Sequence, residues 1–213
     1  MKTSIYPLLI CLIIVSCTGD AQRKTPKSKA ELIGLSKAYF AGGCFWCVEA
    51  IFQSVKGVEE AISGYAGGEM VNPSYELVSA GVTDHAETVE IYYDPNIVSY
   101  TTLLKVFFES HDPTTLNRQG PDSGTQYRSA IFYQTNEERD KIRSFIKKLE
   151  SEGIFTEKII TEVTKLGKFY DAEAYHQEYE YNNPDNPYVQ GVSIPRLNQF
   201  KEKLPELLKE DIH

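Results

Sequence analysis

The sequence predicts an α/β fold of the α+β kind, a ferredoxin-like two-layer sandwich followed by a loop-rich C-terminal tail. Between residues 37 and 133 the main elements follow the order β-α-β-β-α-β, in which helices cover one face of a largely antiparallel sheet. The 213 residues contain no repeat and suit one sizeable core. After residue 165 the chain turns to Tyr, Asn and Pro with little periodicity, which favours loops.

The first elements alternate between strand and helix. Residues 37–41 predict a strand, and the two glycines after it permit a tight turn into a helix at about residues 44–54. A strand at 58–63 leads into a Gly-rich turn at 64–68, and a short helix follows at about 73–79.

The second half continues this pattern. Residues 88–93 alternate as a half-buried strand, and Ser99 precedes apolar residues at helical spacing that continue to about residue 110. The later elements are a strand at 128–133, a charged helix capped by Asn136 and ending near 151, a strand at 159–164, a short helix near 172–180 and a last helix near 196–209.

The N-terminus predicts export. The uncharged run from Pro7 to Val15 is too short to cross a bilayer, and it follows a basic start. Its end, Ile14-Val15-Ser16-Cys17, resembles the lipobox of bacterial lipoproteins, which implies a signal peptide at 1–16 and a lipid on Cys17. A cleaved signal without lipid and a retained anchor are the alternatives. Residues 17–36 then carry the anchor and a polar tether, and residues 37–213 form a single domain in the bacterial cell envelope.

Charge and cysteine content exclude several classes of protein. A net charge of −8 and a pI near 5.1, without a basic stripe, argue against binding to nucleic acid. Cys11 leaves with the signal peptide and Cys17 carries the lipid, so only Cys44 and Cys47 remain. A structural disulfide framework is excluded by number, no metal site is expected, and we expect a monomer.

Cys44 and Cys47 flank Phe45-Trp46 at the start of the first helix. A helix N-terminus favours a thiolate, so the pKa of Cys44 is expected to fall below about 8.5. The i, i+3 spacing places the two Cα atoms roughly 5–6 Å apart, within reach of a disulfide. Two small buried side chains, or half of a zinc site, are the alternatives. Val48 replaces the His that haem attachment requires.

Three polar side chains stand at loop junctions. Glu87 enters the strand at 88–93 beside apolar neighbours, where desolvation would keep its carboxyl protonated, although a solvated surface Glu is the alternative. Tyr75 follows the turn Asn72-Pro73-Ser74, and Tyr127 ends the polar loop 119–126.

These motifs match one family in order and spacing. GGCFWC, GYAGG, NPSYELV, DHAETVEIYYDP, GTQYRSAIFY and AEAYHQEY resemble the class A peptide methionine sulfoxide reductases, over residues 37 to about 200. The resemblance implies that residues 37–213 form a catalytic domain that reduces methionine S-sulfoxide, in proteins and as the free amino acid. It implies no bound cofactor, oxidised proteins or peptides as substrates, and a thioredoxin-like dithiol as the electron donor.

The resemblance also implies a role for each matching residue. Cys44 would be the nucleophile, and Glu87 the acid that protonates the sulfoxide oxygen. His176 would be either a pocket residue or a structural histidine. The remaining matches are the phenols Tyr75 and Tyr127 that hold the oxygen, Asp122 that binds substrate or shapes its loop, and the apolar wall Phe45 and Trp46 around the substrate methyl group.

Three positions depart from the family. Many relatives carry a resolving cysteine in the tail where this chain has Val189, and relatives commonly have Gly in place of Cys47. We therefore expect a Cys44–Cys47 disulfide, with direct reduction by an external thiol as the alternative. Asp84 replaces a Gly of the family. Two other functions stay open: a general thiol–disulfide oxidoreductase and a non-catalytic lipid-anchored binding module.

Overall fold

A six-stranded sheet forms the centre of the molecule. The computed structural model describes residues 23–210. The strands are β1 (Ser36–Gly42), β2 (Val58–Ala66), β3 (Ala86–Tyr93), β4 (Arg118–Gln119), β5 (Asp122–Ser123), β6 (Ser129–Tyr133), β7 (Glu162–Lys165) and β8 (Tyr170–Asp171). The α-helices are α1 (Phe45–Gln53), α2 (Tyr75–Ser79), α3 (Tyr100–Ser110), α4 (Asn136–Ser151), α5 (Tyr179–Asn182) and α6 (Ile194–Lys203).

The four central strands have the arrangement that the element order predicts. The sheet order is β7-β6-β1-β3-β2-β8, and β4 and β5 form a separate hairpin. β3 pairs antiparallel with both β1 and β2, so it separates two strands that run in the same direction. β6 pairs antiparallel with β1, and β7 lies parallel to β6 at the edge. The predicted α/β fold class is therefore confirmed.

Helices α1 and α3 pack on one face of this sheet. Phe40 of β1 stacks on Phe52 of α1 and on Phe107 of α3, with ring centroids 5.1 Å apart in both pairs. Val48 and Ile51, which follow the helical period of α1, are buried in the same core. Because α1 is packed against the strand that precedes it, the turn between β1 and α1 is held in a fixed position.

The opposite face is covered by extended chain segments. Leu32, which precedes β1, is 2% exposed and packs with Tyr92. Phe169, which precedes β8, packs on Tyr39 with ring centroids 5.6 Å apart. Since both faces are covered, every residue of β3 is buried. The prediction of a half-buried strand at 88–93 is wrong for this reason.

The end of the predicted tether lies on this body. The backbone N–H of Lys27 donates to Glu60 Oε2 at 2.7 Å, and Lys24 Nζ lies 2.9 Å from Glu178 Oε2. Residues 23–35 thus contact the domain. Cys17 and the predicted signal peptide lie outside the described residues, and the predicted domain boundaries stay predictions.

The tail wraps the core as the sequence predicts. β8 pairs with β2, and the Gln177 side chain accepts from Ser63 N at 3.0 Å and donates to Ser63 O at 2.9 Å. The short helix expected near 172–180 consists of a 3-10 turn at 174–176 and α5. α6 begins at Ile194, two residues before the predicted start, and a 3-10 turn at 205–207 follows it.

Helix α4 differs from the prediction in its cap. The Thr135 side chain accepts from Glu138 N at 3.2 Å, while Asn136 is already the first helical residue. Thr135 is the N-cap because its extended backbone lets its hydroxyl accept from a free N–H group of the first helical turn. Within residues 23–210, no helix combines the length and apolar character needed to span a bilayer.

Candidate active site

Cys44 lies where β1 ends and α1 begins. Gly43 before it has φ +91°, and a Cβ at that position would lie 2.6 Å from Gln119 Cβ. The turn therefore requires glycine for its backbone and for the close approach of the 118–123 hairpin. Cys44 precedes the first helical residue and is 5% exposed, while Cys47, one turn later, is 1% exposed.

Glu87 of β3 reaches the same helix end. Its Oε2 accepts a hydrogen bond from the backbone N–H of Phe45 at 3.0 Å, directly after Cys44. Burial raises the pKa of Glu87 to about 8, in the direction that the sequence predicts. The carboxyl is therefore mostly protonated at neutral pH, and it can donate that proton to an oxygen beside Cys44.

Tyr75 and Tyr127 present two phenols to this acid. Burial raises the pKa of both, for Tyr75 to about 12, and the nearby charges of Glu87 and Cys44 raise them further. Tyr75 also packs on Phe45, with ring centroids 6.5 Å apart. Both hydroxyls thus stay protonated and can act as hydrogen-bond donors. The structure brings the predicted acid and the two predicted phenols together around Cys44.

Trp46 belongs to an aromatic stack. Its ring lies parallel to Tyr179 at 3.7 Å between centroids, and its indole N–H donates to His176 Nδ1 at 3.1 Å. Burial lowers the pKa of His176 to about 4, so the ring is neutral and carries its proton on Nε2. That nitrogen is buried without a partner among the described residues. His176 also packs against Tyr75, with ring centroids 4.2 Å apart, so it contacts both Trp46 and Tyr75.

Asp122 is connected to Cys47 through the hydroxyl of Tyr188. The Tyr188 hydroxyl donates to Asp122 Oδ2 at 2.5 Å and lies 4.0 Å from Cys47 Sγ. Asp122 stands on the hairpin of β4 and β5, and Tyr188 precedes the π-turn that leads into α6. The tail and the hairpin thus meet at Cys47.

The structure corrects the predicted pKa of Cys44. Burial raises this pKa, and a hydrogen bond with Cys47 and the charge of Glu87 raise it further. The pKa of Cys47 falls to about 6, because its sulfur accepts a hydrogen bond from Cys44 and lies near the Arg196 guanidinium. A helix terminus stabilises a charge by only about 0.3–1 kcal/mol, less than one pKa unit, so desolvation of the buried sulfur outweighs it.

Arg196 closes the site from the tail. Its Nε donates to Ser110 O at 2.7 Å and one terminal nitrogen donates to Gly42 O at 2.8 Å. The guanidinium is thereby fixed beside the turn that carries Cys44. Both cysteines are free thiols, and they lie one helical turn apart. Within the described chain, no three His, Cys, Asp or Glu side chains are grouped as a metal ion requires.

Four residues of this site were not predicted. Glu173 accepts from Tyr65 OH at 2.8 Å and from Tyr75 N at 2.9 Å, and so fixes the start of α2. The others are Tyr179, Tyr188 and Arg196. Glu173 and Tyr179 belong to the AEAYHQEY segment, and Tyr188 directly precedes Val189, so the sequence indicated these segments without indicating the contacts.

The chain matches a known family over most of its length. Residues 36–208 match the sequence model of the family described as peptide methionine sulfoxide reductase. The peptide methionine sulfoxide reductase MsrA of Nautilia profundicola is 51% identical over 166 residues, which are 78% of this chain and 94% of that protein. The MsrA of Chromobacterium violaceum is 48% identical over 175 residues, which are 82% and 99% of the two chains.

Solved structures agree with this match. The reduced form of Mxr1 from Saccharomyces cerevisiae superimposes with a TM-score of 0.67 and 34% identity, covering 71% of this chain and 87% of the other. Methionine sulfoxide reductase A of Corynebacterium diphtheriae gives a TM-score of 0.65 and 37% identity, covering 72% and 77%. The chain that places Glu87 and two phenols close to Cys44 belongs to the peptide methionine sulfoxide reductase family.

Proposed function

We propose that the protein reduces methionine S-sulfoxide to methionine, both in oxidised proteins or peptides and as the free amino acid. The observation that carries this proposal is the buried Glu87 carboxyl, held by Phe45 N at 3.0 Å next to Cys44 and protonated at neutral pH. A thiolate that attacks a sulfoxide sulfur needs an acid for the oxygen. A thiol–disulfide exchange site has no such need, so Glu87 favours sulfoxide reduction over a general oxidoreductase.

The resting charges define the first step. Cys44 holds a proton and Cys47 the negative charge, because the two sulfurs share one hydrogen bond. As substrate binds, the Cys44 proton passes to Cys47, and the Cys44 thiolate attacks the sulfoxide sulfur. This attack forms a bond between the Cys44 sulfur and the substrate sulfur, and the sulfoxide oxygen takes the Glu87 proton. The resulting hydroxyl then moves to the Cys44 sulfur, so that the substrate S–O bond and the bond between the two sulfurs break and methionine leaves a Cys44 sulfenic acid. Cys44 is oxidised, the substrate sulfur is reduced, and the negative charge ends on Glu87.

The pocket residues position the substrate for this attack. Tyr75 and Tyr127 donate hydrogen bonds to the sulfoxide oxygen, since both phenols stay protonated. Phe45 and Trp46 form the apolar wall for the methyl group, and the stack of Trp46 on Tyr179 keeps its ring rigid. His176 fixes Trp46 through the indole hydrogen bond.

Cys47 regenerates the enzyme. It attacks the Cys44 sulfenic acid, and the products are a Cys44–Cys47 disulfide and water. The i, i+3 placement on one helix turn supports this pairing. A thioredoxin-like dithiol then reduces the disulfide by exchange, so the cycle uses no bound cofactor.

The deciding experiment compares two substrates. The purified protein with a thioredoxin system is assayed on a methionine sulfoxide peptide and, separately, on a mixed disulfide. We expect methionine from the peptide and little exchange on the disulfide, with Cys44→Ser as the inactive control. Exchange without methionine formation would establish the general oxidoreductase, and peptide binding without turnover would establish the binding module.

We propose further that the protein is exported and carries a lipid on Cys17, which would place its substrates in the bacterial cell envelope. The lipobox-like end of the apolar run supports this. The test is incorporation of labelled palmitate in a bacterial host, with Cys17→Ser as the control. A chain that stays unlabelled while it is exported would contradict the anchor and leave the reductase activity unaffected.

A further inference from the structure

We infer that Tyr188 and Asp122 remove the proton from Cys47 in the step that forms the Cys44–Cys47 disulfide. The inference rests on the proposed function, because it concerns how Cys47 resolves the sulfenic acid. It gives Asp122 a role in the second half-reaction, whereas the family resemblance implied a role in substrate binding or loop shape.

The need for a base follows from the first step. Cys47 receives the proton of Cys44 when Cys44 attacks, so it enters the second step as a thiol. A thiol is a weak nucleophile and must lose this proton before it attacks the sulfenic acid. Cys47 is 1% exposed, so the proton cannot pass directly to bulk water. The group that takes it must lie inside the protein.

Tyr188 offers that path. Its hydroxyl lies 4.0 Å from Cys47 Sγ, within the range of a sulfur hydrogen bond, and already donates to Asp122 at 2.5 Å. When the Tyr188 proton moves to the Asp122 carboxylate, the phenol oxygen can take the proton of Cys47. Asp122 is half-buried on the β4–β5 hairpin, so it connects the buried sulfur with solvent.

One other pair of groups around Cys47 has a similar arrangement. The titratable and charged groups that act on its sulfur are Cys44, Glu87, Glu180, Tyr188 and Arg196, with Asp122 behind Tyr188. Cys44 carries the sulfenic hydroxyl at this stage, and Arg196 is a cation. The Ser193 hydroxyl hydrogen-bonds Cys47 and donates to Glu180 Oε2 at 2.5 Å, so this pair is a second relay. Ser193→Ala tests it: slower disulfide formation in Ser193→Ala but not in Tyr188→Phe would overturn the inference. Glu87 is held at the other end of the turn by Phe45 N.

The Cys47 proton moves to Tyr188 while the Tyr188 proton moves to Asp122. The Cys47 thiolate attacks the Cys44 sulfur, the new S–S bond forms, and the S–O bond of the sulfenic acid breaks. The leaving hydroxide takes one proton from solvent and becomes water, and Asp122 returns one proton to solvent. Cys47 is oxidised from thiol to disulfide, and the Cys44 sulfur is reduced from sulfenic acid to disulfide.

The test is a single turnover without external thiol, in which methionine release and disulfide formation are followed separately. For Tyr188→Phe we expect disulfide formation to slow at least about tenfold and a sulfenic acid that dimedone traps to accumulate, while methionine release slows less. Asp122→Asn is expected to act in the same way, and the double variant to lose little more. The deficit is expected to be largest below about pH 6 and to shrink above it, because Cys47, with a pKa of about 6, is then ionised without the relay. A purely structural role would not give this pH dependence.

Tyr181→Phe is the matched control, since this phenol is 64% exposed. It is expected to change neither step. Disulfide formation at the wild-type rate in Tyr188→Phe, or an equal slowing of both steps, would overturn the inference. Failure of the proposed function looks different: the wild type would release no methionine, or Cys47→Ser would lose its dimedone-reactive sulfenic acid as fast as the wild type.

Discussion

Cys44 and Cys47 have the same side chain one helical turn apart, and the protein gives them opposite acidity. Cys44 faces the sheet, where burial, its hydrogen bond with Cys47 and the charge of Glu87 raise its pKa. Cys47 faces the tail, where the hydrogen bond from Cys44 and the charge of Arg196 lower its pKa. The helix they share cannot explain the difference. The acidity of each cysteine is therefore set by its burial, by the hydrogen bond between the two sulfurs and by the charges packed around them.

This difference separates the two half-reactions. The sheet side supplies the acid for the sulfoxide oxygen, and the tail side supplies the groups that manage the charge and the proton of Cys47. Substitutions on one side at a time therefore test the two half-reactions separately, and those on the sheet side should reduce activity most.

Removal of the sheet-side sulfur is expected to abolish the reaction. In Cys44→Ser the hydroxyl is far less acidic than a thiol, so no nucleophile forms at neutral pH, and no methionine should be detected in a single turnover. The matched control is Cys47→Ser, in which the same substitution is made at the other cysteine and Cys44 is kept. Measurable turnover by Cys44→Ser would show that Cys44 is not the nucleophile.

Replacement of the sheet-side acid is expected to slow methionine formation about 10²–10⁴-fold, the usual contribution of a general acid. Glu87→Gln keeps the shape and the hydrogen bond from Phe45 N but has no acidic proton. With a pKa of about 8, Glu87 is protonated below pH 8 and loses the proton above it, so the wild-type rate of methionine formation should fall as the pH rises through about 8.

The Gln variant should lack this alkaline fall, because amide protonation does not change in that range. The measurement is the single-turnover rate across pH, with substrate affinity determined in parallel. A variant that keeps both the wild-type rate and the alkaline fall would show that another group protonates the oxygen.

These features differ in how far the sequence predicts them. Cys44, Glu87, Tyr75 and Tyr127 stand at the ends of strands or turns, and the order of the strands brings those ends together. The central sheet follows from the same order. Site residues whose positions depend on local motifs and on strand order can therefore be predicted from the sequence.

Burial by segments that are distant in the sequence cannot be predicted in this way. β3 is buried on both sides because residues 23–35 and the segment before β8 cover its second face, and neither segment has a periodic pattern. Tyr188 and Arg196 come from the irregular tail, so their contacts with the Cys47 side of the site were missed. The wrong pKa direction for Cys44 has the same cause, since a helix end is visible in the sequence and desolvation is not.

Removal of the tail-side sulfur is expected to stop recycling and to spare the first turnover. Cys47→Ser should release one methionine per enzyme and then stall, with thioredoxin-driven turnover reduced at least about tenfold, because no second thiol forms the disulfide that exchange requires. The amplitude of the burst and the steady-state rate measure the two parts. Steady turnover at the wild-type rate would mean that the external dithiol reduces Cys44 directly.

The smallest expected effect comes from the tail-side charge. Arg196→Met keeps much of the stem and removes the guanidinium, so the pKa of Cys47 should rise from about 6 by on the order of one unit, since an opposite charge nearby shifts a pKa by about 1–3 units. Arg196→Lys keeps a positive charge and should shift it less. The midpoint is read from the ultraviolet absorbance of the thiolate during a pH titration.

Lys203→Met, on the same helix, is the control for loss of a positive charge, because Lys203 lies 3.5 Å from Glu109 Oε2 at the surface. Arg196 also binds Ser110 O and Gly42 O, so each variant is compared by thermal unfolding. If Arg196→Met and Arg196→Lys shifted the midpoint equally, the hydrogen bonds of Arg196 to the turn would govern the acidity of Cys47. A larger shift in Arg196→Met would assign the effect of Arg196 on the pKa of Cys47 to its charge, which acts in addition to the hydrogen bond from Cys44.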